Sequence, residues 1–229
     1  MVFVSHSARI AEGLVELARQ MAPTAALVAA GGTDDGRIGT SFDRVSGAIS
    51  EADSGNGVVV LCDLGSAILT SETALDFLDD DVRARVRIAD APLVEGGVAA
   101  AVAAEGGDDL ERVLAAAESA KGGGAPAAPE APASSATRGG GGGASAHSRT
   151  VTLVNADGLH ARPAAELVKL ASTFPQRVTV NGTDAKSLLA IMSLGLTKGA
   201  TVEIASDDPE GGAAVEALSA LAESGFGEA

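Results

Sequence analysis

The sequence has no tryptophan and no tyrosine, and only 5 of its 229 residues are phenylalanine. Any interior must therefore be built from aliphatic side chains. Cysteine is scarce too. Cys62 stands alone, which excludes a disulfide framework within one chain and a cysteine-rich zinc site, and no metal is expected. Positive charge is sparse, with 16 Lys and Arg against 31 Asp and Glu and a net charge of −15. Such a chain has no broad basic face, so neither nucleic acid nor an anionic membrane is expected as a partner. Long apolar runs are missing. The longest are VVVLC (58–62), AALVAA (25–30) and VAAAVAA (98–104), far below the roughly 18 residues that suggest a membrane span. The opening MVFVSHSAR has no basic leader and no long apolar core, so no signal peptide is expected. A soluble, cytoplasmic protein is the reading.

What is present falls into three parts. Residues 121–148 read KGGGAPAAPEAPASSATRGGGGGASAHS, and 23 of these 28 are Gly, Ala, Pro or Ser. Without a large apolar side chain, such a segment cannot bury enough surface to offset the entropy of ordering it. It reads as a flexible linker with a random-coil span of about 30 Å. On one side lies a domain at 1–120 with 8 basic and 20 acidic side chains, net −12. On the other lies a domain at 149–229 with 6 and 10, net −4.

In the first domain, short apolar runs alternate with helical spacing. VFV (2–4) leads into Ile10, Leu14, Leu17 and Met21. AALVAA leads through a Gly/Asp loop into Val45 and Ile49. VVVLC leads into Leu69, Thr73, Phe77 and Leu78, and VRI (86–88) into an Ala-rich stretch from Leu93. Leu110, Val113, Leu114 and Ala117 make a last amphipathic helix. This alternation predicts an α/β domain with a mainly parallel sheet covered on both faces, and places ligands at the carboxyl ends of its strands. The second domain reads as a strand over 149–155, a helix over 164–174 and a hairpin over 177–185 around Asn181-Gly182. A short helix over 186–194, a strand over 200–206 and a helix over 210–222, with Val215, Leu218 and Leu221 inward, complete it. The order β-α-β-β-α-β-α predicts an α+β open-faced sandwich.

Three histidines are candidates for chemistry. His147 falls in the linker and reads as unstructured. His160 sits in NADGLHARPAAEL (155–167), where Asp157-Gly158 turns the chain and Pro163 fits the first helical turn. That places His160 at or beside a helix N-cap, where free amides and the positive helix end favour an anion. Arg162 can add a guanidinium to the same anion. A neutral imidazole is a good nucleophile near pH 7, so the group suits a phosphorylated histidine; the plain alternative is a polar cap residue. His6, in FVSHSAR, follows the first strand. Asp63, in LCDLGSA, follows the third. If those strands are neighbours, Asp63 can accept from one ring nitrogen of His6 and leave the other to attack phosphorus. Gly65-Ser66 then opens a helix with amide donors. The plain alternative is a loop histidine.

Residues 149–229, through NADGLHARPAAELVKLASTF and AKSLLAIMSLGLTKGATVEI, resemble HPr, the phosphocarrier of the bacterial phosphotransferase system. The resemblance implies that His160 takes phosphate from enzyme I on Nδ1 and passes it to an enzyme IIA. It matches Arg162 to the family's active-site arginine and Ser187 to a serine used in some members as a regulatory phosphosite; Ser187 also reads as the N-cap of the short helix. Residues 1 to about 119, through VSHSARIAEGLVELARQM, GRIGTSFDRV, LCDLGSAILTSETAL and DAPLVEGG, resemble the mannose-type enzyme IIA domain. They are closer to its version in DhaM, the phosphotransferase subunits of dihydroxyacetone kinases. That resemblance implies phosphorylation of His6 on Nε2, orientation by Asp63, and Gly39, Thr40 and Ser66 around the phosphate. It also implies a homodimer through the first domain and no bound cofactor beyond phosphohistidine. The implied partners are enzyme I and the kinase L and K subunits, with ADP and ATP held on a partner. No GxxxxGK[ST] loop is present, which suits a carrier without its own nucleotide site. Two rival readings are an enzyme IIA–HPr fusion feeding a mannose-type sugar permease and a phosphorylation-dependent regulatory binding protein.

Overall fold

The computed structural model describes residues 1–122 and 146–227, and the chain divides into two units, Met1–Gly122 and Gly123–Ala229. Most of the stretch expected as a linker, 121–148, lies outside the described residues.

The first unit runs β1 (Val2–Ser5), α1 (Ala8–Arg19), β2 (Val28–Gly31), α2 (Phe42–Ala52), β3 (Val58–Cys62), α3 (Gly65–Asp76), α4 (Asp80–Arg83), β4 (Val86–Ile88), α5 (Leu93–Glu105) and α6 (Leu110–Glu118). Its strands pair in parallel in the order β2-β1-β3-β4. Alternation along the strands divides the core between the two faces. Val2, Val4, Val58 and Val60 pack with Val45 and Ile49 of α2 and with Ala67 and Ala74 of α3. Phe3 meets α5, where a Cβ on Gly97 would stand 3.0 Å from its ring. The chain leaves β1 for β2 on one side, then crosses to β3 on the other. The loops after β1 and β3 therefore diverge, opening a crevice at the carboxyl ends of the two central strands.

The apolar spacing located the helices but misjudged parts of their buried faces. In α1 the interior takes Ala11, Leu14, Val15 and Ala18, while Ile10 and Leu17 are exposed. In α3 it takes Ala67, Ser71 and Ala74, while Leu69 and Phe77 are 64% and 76% exposed. Small side chains let a helix axis lie close to a sheet, so the contact stripe centres on them and pushes larger neighbours to its flanks. Phe77 keeps one edge contact, with the Phe42 ring at 5.4 Å between centroids.

The second unit runs β5 (His147–Thr152), α7 (Ala161–Ser172), β6 (Thr179–Val180), β7 (Thr183–Asp184), α8 (Leu188–Ser193), β8 (Thr201–Ser206) and α9 (Gly212–Glu223). This is the β-α-β-β-α-β-α order expected of an open-faced sandwich. Its antiparallel sheet has the order β5-β8-β6-β7, with α9 packed on β5 and β8 and α7 on α8 and α9. Asn181 and Gly182, at φ 49° and 80°, make the tight β6–β7 turn that Asn-Gly favours. In α9, Val215 and Leu218 are buried as expected, but Ala222 replaces Leu221 inside.

His147 corrects the expectation of an unstructured linker residue. It begins β5, paired with Ser206, and its Nε2–H donates to the Pro209 carbonyl at 2.8 Å. Composition around it was linker-like, but the ladder to β8 supplies backbone partners that the local sequence does not reveal.

Candidate functional site

His6 and Asp63 meet because β1 and β3 are neighbours, with Val4 opposite Cys62. The Asp63 carboxylate gathers donors from both loops. Its Oδ2 accepts from the Ser5 hydroxyl at 2.8 Å and the His6 N–H at 2.9 Å. Its Oδ1 accepts from the Leu64 N–H at 2.8 Å and lies 2.9 Å from His6 Nδ1. Burial presses the Asp63 pKa upward, but hydrogen bonds from the His6 backbone, the His6 ring and the Ser5 hydroxyl outweigh it. The carboxyl therefore sits below its ordinary value.

An ionised carboxylate can only accept, so the proton between it and the ring belongs to Nδ1. Nε2 then carries the lone pair. Ser66 Oγ, 2.7 Å away, donates to it. The ring is thus fixed in one tautomer by partners on both nitrogens. With a side chain 20% exposed, it remains open to an incoming group.

α3 begins beside this ring. Its N-cap, Leu64, has no capping side chain, and its first turn holds no acidic residue. Among the described residues the amides of Gly65 and Ser66 have no protein acceptor, so they are available to an anion. Gly39 is also beside His6, but its N–H donates to the His6 carbonyl at 2.9 Å. Thr40 shares a hydroxyl hydrogen bond of 2.8 Å with Thr70. These two residues brace the site from the β2–α2 loop, and the Gly39 amide is already engaged. Cys62, one residue before Asp63, is buried, and burial raises its thiol pKa, which makes it an inert packing group.

In the second unit, His160 is the N-cap of α7, with φ −77° and ψ −176°. Its ring is half-buried, and Arg162 is exposed in the first helical turn. The preceding loop is held from three sides. Leu159 N–H donates to the Leu196 carbonyl at 2.8 Å. The Gly158 carbonyl accepts from His160 N–H at 3.0 Å and from Asn155 Nδ2 at 2.6 Å. Gly158 has φ +67°, and a Cβ there would lie 2.2 Å from the Leu196 carbonyl oxygen, so glycine is required on both counts. Ser187 is the N-cap of α8, yet its hydroxyl makes no capping bond.

Two contributors were missed in the sequence. A strand-end serine has many uses, so the sequence carried only a weak signal for Ser5 in the repeated hydroxyls of Ser5-His6-Ser7. Asn155 precedes a Gly turn, where a side-chain amide commonly bonds nearby backbone, and that signal was legible.

The parallel sheet with a carboxylate-held histidine, followed by an open-faced sandwich with a histidine N-cap, defines the class: an enzyme IIA-type unit joined to an HPr-type unit. Residues 1–114 match the family model for the PTS system fructose IIA component, and residues 147–224 that for the PTS HPr component phosphorylation site. Over 239 aligned residues the chain is 37% identical to the PEP-dependent dihydroxyacetone kinase phosphoryl donor subunit DhaM of Klebsiella michiganensis, covering 100% of this chain and 51% of that one. It is 44% identical over 103 residues to DhaM of kinase 2 from Listeria innocua, covering 44% of this chain and 82% of that one. The phosphocarrier protein HPr of Cupriavidus necator is 42% identical over 84 residues, covering 35% of this chain and 94% of that one. The chain belongs to the DhaM family of phosphoryl donor subunits. It spans about half the length of the full-chain relatives it matches. Among the described residues no helix is long and apolar enough to cross a membrane.

Proposed function

We propose that the chain carries phosphoryl groups on two histidines, from enzyme I to His160 and from His160 to His6, and delivers them to ADP held by a dihydroxyacetone kinase L subunit. The ATP formed there phosphorylates dihydroxyacetone on the K subunit. In this reading enzyme I draws on phosphoenolpyruvate, and His160 Nδ1 takes the group as the N–P bond on enzyme I breaks. His6 Nε2 then attacks phosphorus with its lone pair, and the electron pair of the breaking bond returns to His160. The proton on His6 Nδ1 stays against Asp63 throughout, so no external acid or base is needed. The Ser66 hydroxyl turns from Nε2 to a phosphate oxygen, joined by the Gly65 and Ser66 amides, with Arg162 serving the group on His160. Gly39 and Thr40 shape the loop behind the His6 phosphate. Ser187 remains a candidate regulatory phosphosite, its hydroxyl not engaged in capping.

The observation that carries this reading is the His6 ring held between Asp63 on Nδ1 and Ser66 on Nε2, at the crevice of a parallel sheet. The homodimer expected through the first domain belongs to it as well, and exposed Leu69 and Phe77 give α3 an apolar face that such a contact would cover. The test is to incubate the full chain with enzyme I and phosphoenolpyruvate and map acid-labile phosphate. Label on His160 and His6, and ATP on adding the ADP-bearing L subunit, is the expected result. Absence of label from both histidines overturns it.

A further inference from the structure

We infer that Asn155 is a positioning residue for His160, acting through the Gly158 carbonyl. The inference rests on the reading of His160 as a phosphoryl carrier. Asn155 stands just after the β5 segment, on the far side of the Asp157-Gly158 turn, and is 1% exposed. Its Nδ2–H donates to the Gly158 carbonyl at 2.6 Å. The same carbonyl accepts the His160 N–H at 3.0 Å, and the Asn155 carbonyl receives the Gly158 N–H at 3.4 Å. One side chain thus closes the loop from 155 to 158, and the fixed carbonyl holds the backbone of the histidine at the head of α7.

The amide's orientation is not arbitrary. Turned over, it would set Oδ1 against the Gly158 oxygen, two acceptors without a proton between them. In the orientation present, Oδ1 is buried with no hydrogen-bond partner among the described residues. An unpaired buried oxygen is a cost, and an apolar residue at this position would avoid it. What only a donor can supply here is the bond to the Gly158 carbonyl. The loop has other anchors, since Leu159 N–H bonds Leu196 and Gly158 lies against Leu196 and Thr197. Those hold the turn to the α8–β8 loop. Asn155 sets the direction of the carbonyl that accepts the His160 N–H.

The test compares the full-length wild type with Asn155→Ala and Asn155→Asp, following enzyme I-dependent phosphorylation of His160 by pyruvate release from pH 8 to pH 5.5. Misplacing a reacting group by about 1 Å costs on the order of a hundredfold. Asn155→Ala is therefore expected to lose roughly ten- to a hundredfold in kcat, with KM for the chain little changed. Asn155→Asp separates positioning from stability. Burial raises the pKa of its carboxyl; when protonated it offers an O–H to Gly158, and when ionised it repels that carbonyl. Its rate relative to wild type at the same pH should rise as pH falls. Wild-type kcat in a folded Asn155→Ala overturns the inference. So does an Asn155→Asp ratio independent of pH, which remains readable if the alanine variant does not fold. Failure of the wild type to take up label at His160 would instead overturn the carrier reading.

Discussion

Asp63→Asn removes one oxygen and one charge from a carboxylate that gathers four contacts, and it should fail in a specific way. The new amide can keep its oxygen on the Ser5 hydroxyl and His6 N–H, placing NH2 beside His6 Nδ1 and Leu64 N–H. The opposite orientation would set NH2 against the His6 N–H, in a pocket where Ser5 is fully buried. The first orientation prevails because Leu64 is 60% exposed and its N–H can turn to water. The amide then donates to Nδ1, the ring proton moves to Nε2, and the lone pair that would attack phosphorus is lost. A comparable tautomer error in a serine protease costs about 10⁴ in turnover, and general-base losses span roughly 10²–10⁴. Transfer through His6 should therefore fall by roughly 10²–10⁴. Stability should fall by only about 1–2 kcal/mol, for two charge-assisted bonds weakened to neutral ones and one exposed donor released. Asp63→Ala leaves the buried Ser5 hydroxyl and His6 N–H both without acceptors and should cost more, about 2–5 kcal/mol. This position is thus dearer than an ordinary polar loop site, which changes stability by about half a kcal/mol. Rapid-quench mapping of phosphate on His6 gives the rate, and ring ¹⁵N shifts give the tautomer. Wild-type transfer in Asp63→Asn, or a ring that keeps its proton on Nδ1, refutes the reasoning.

The depressed carboxyl of Asp63 also sets a pH dependence. A group whose folded pKa lies below its unfolded value of about 3.9 stabilises fully above that value and loses its contribution as pH falls through the folded one. The stability gap between wild type and Asp63→Ala, read by urea unfolding, should hold from neutrality to about pH 4 and close below it; a gap that closes nearer pH 6 contradicts this. His160→Ala should abolish enzyme I-dependent labelling of both histidines, and undiminished label on His6 in the absence of other HPr would overturn the order of transfer. Gly158→Ala should destabilise the second unit by about 2–4 kcal/mol, from positive φ together with overlap on the Leu196 carbonyl; an unchanged denaturant midpoint would contradict it.

Element type was legible because it depends on periodicity. The short β-branched run VVVLC, set between helical spacings, pointed to a strand covered on both faces, and Asn181-Gly182 to a tight turn. The pairing of His6 with Asp63 was legible conditionally. It required β1 and β3 to be neighbours, and that is a property of sheet order, which local sequence does not encode. Which face of α1 or α3 goes inward was not legible from large apolar residues, because alanines set the closest approach to the sheet. The engaged amide of Gly39 was also hidden. The resemblance alone placed Gly39 around the phosphate, and no local signal reveals that the His6 carbonyl takes its amide. His147 failed for a similar reason, since its strand exists only by pairing with residues near 206.

In the proposed relay the two sites meet one requirement by different means. A carrier must hold phosphate long enough to pass it on, yet not so firmly that transfer stops. α3 and α7 both start without a capping side-chain bond and without acid in the first turn, as α1, α8 and α9 also do, whereas α2 and α6 are capped by Ser41 and Asp109. An uncapped N-terminus offers an anion about 0.3–1 kcal/mol through its dipole at an exposed site. That is too little to trap a phosphoryl group and enough to bias its position. Specificity for one ring nitrogen must then come from elsewhere. At His6 it comes from a carboxylate that occupies Nδ1 while the hydroxyl of Ser66 leaves Nε2 reachable. At the head of α7 a backbone loop tied by Asn155 and packed on Leu196 sets the histidine's place. Both devices fix the histidine and offer an anion only light contacts, which is the balance the proposed relay between two half-buried histidines demands.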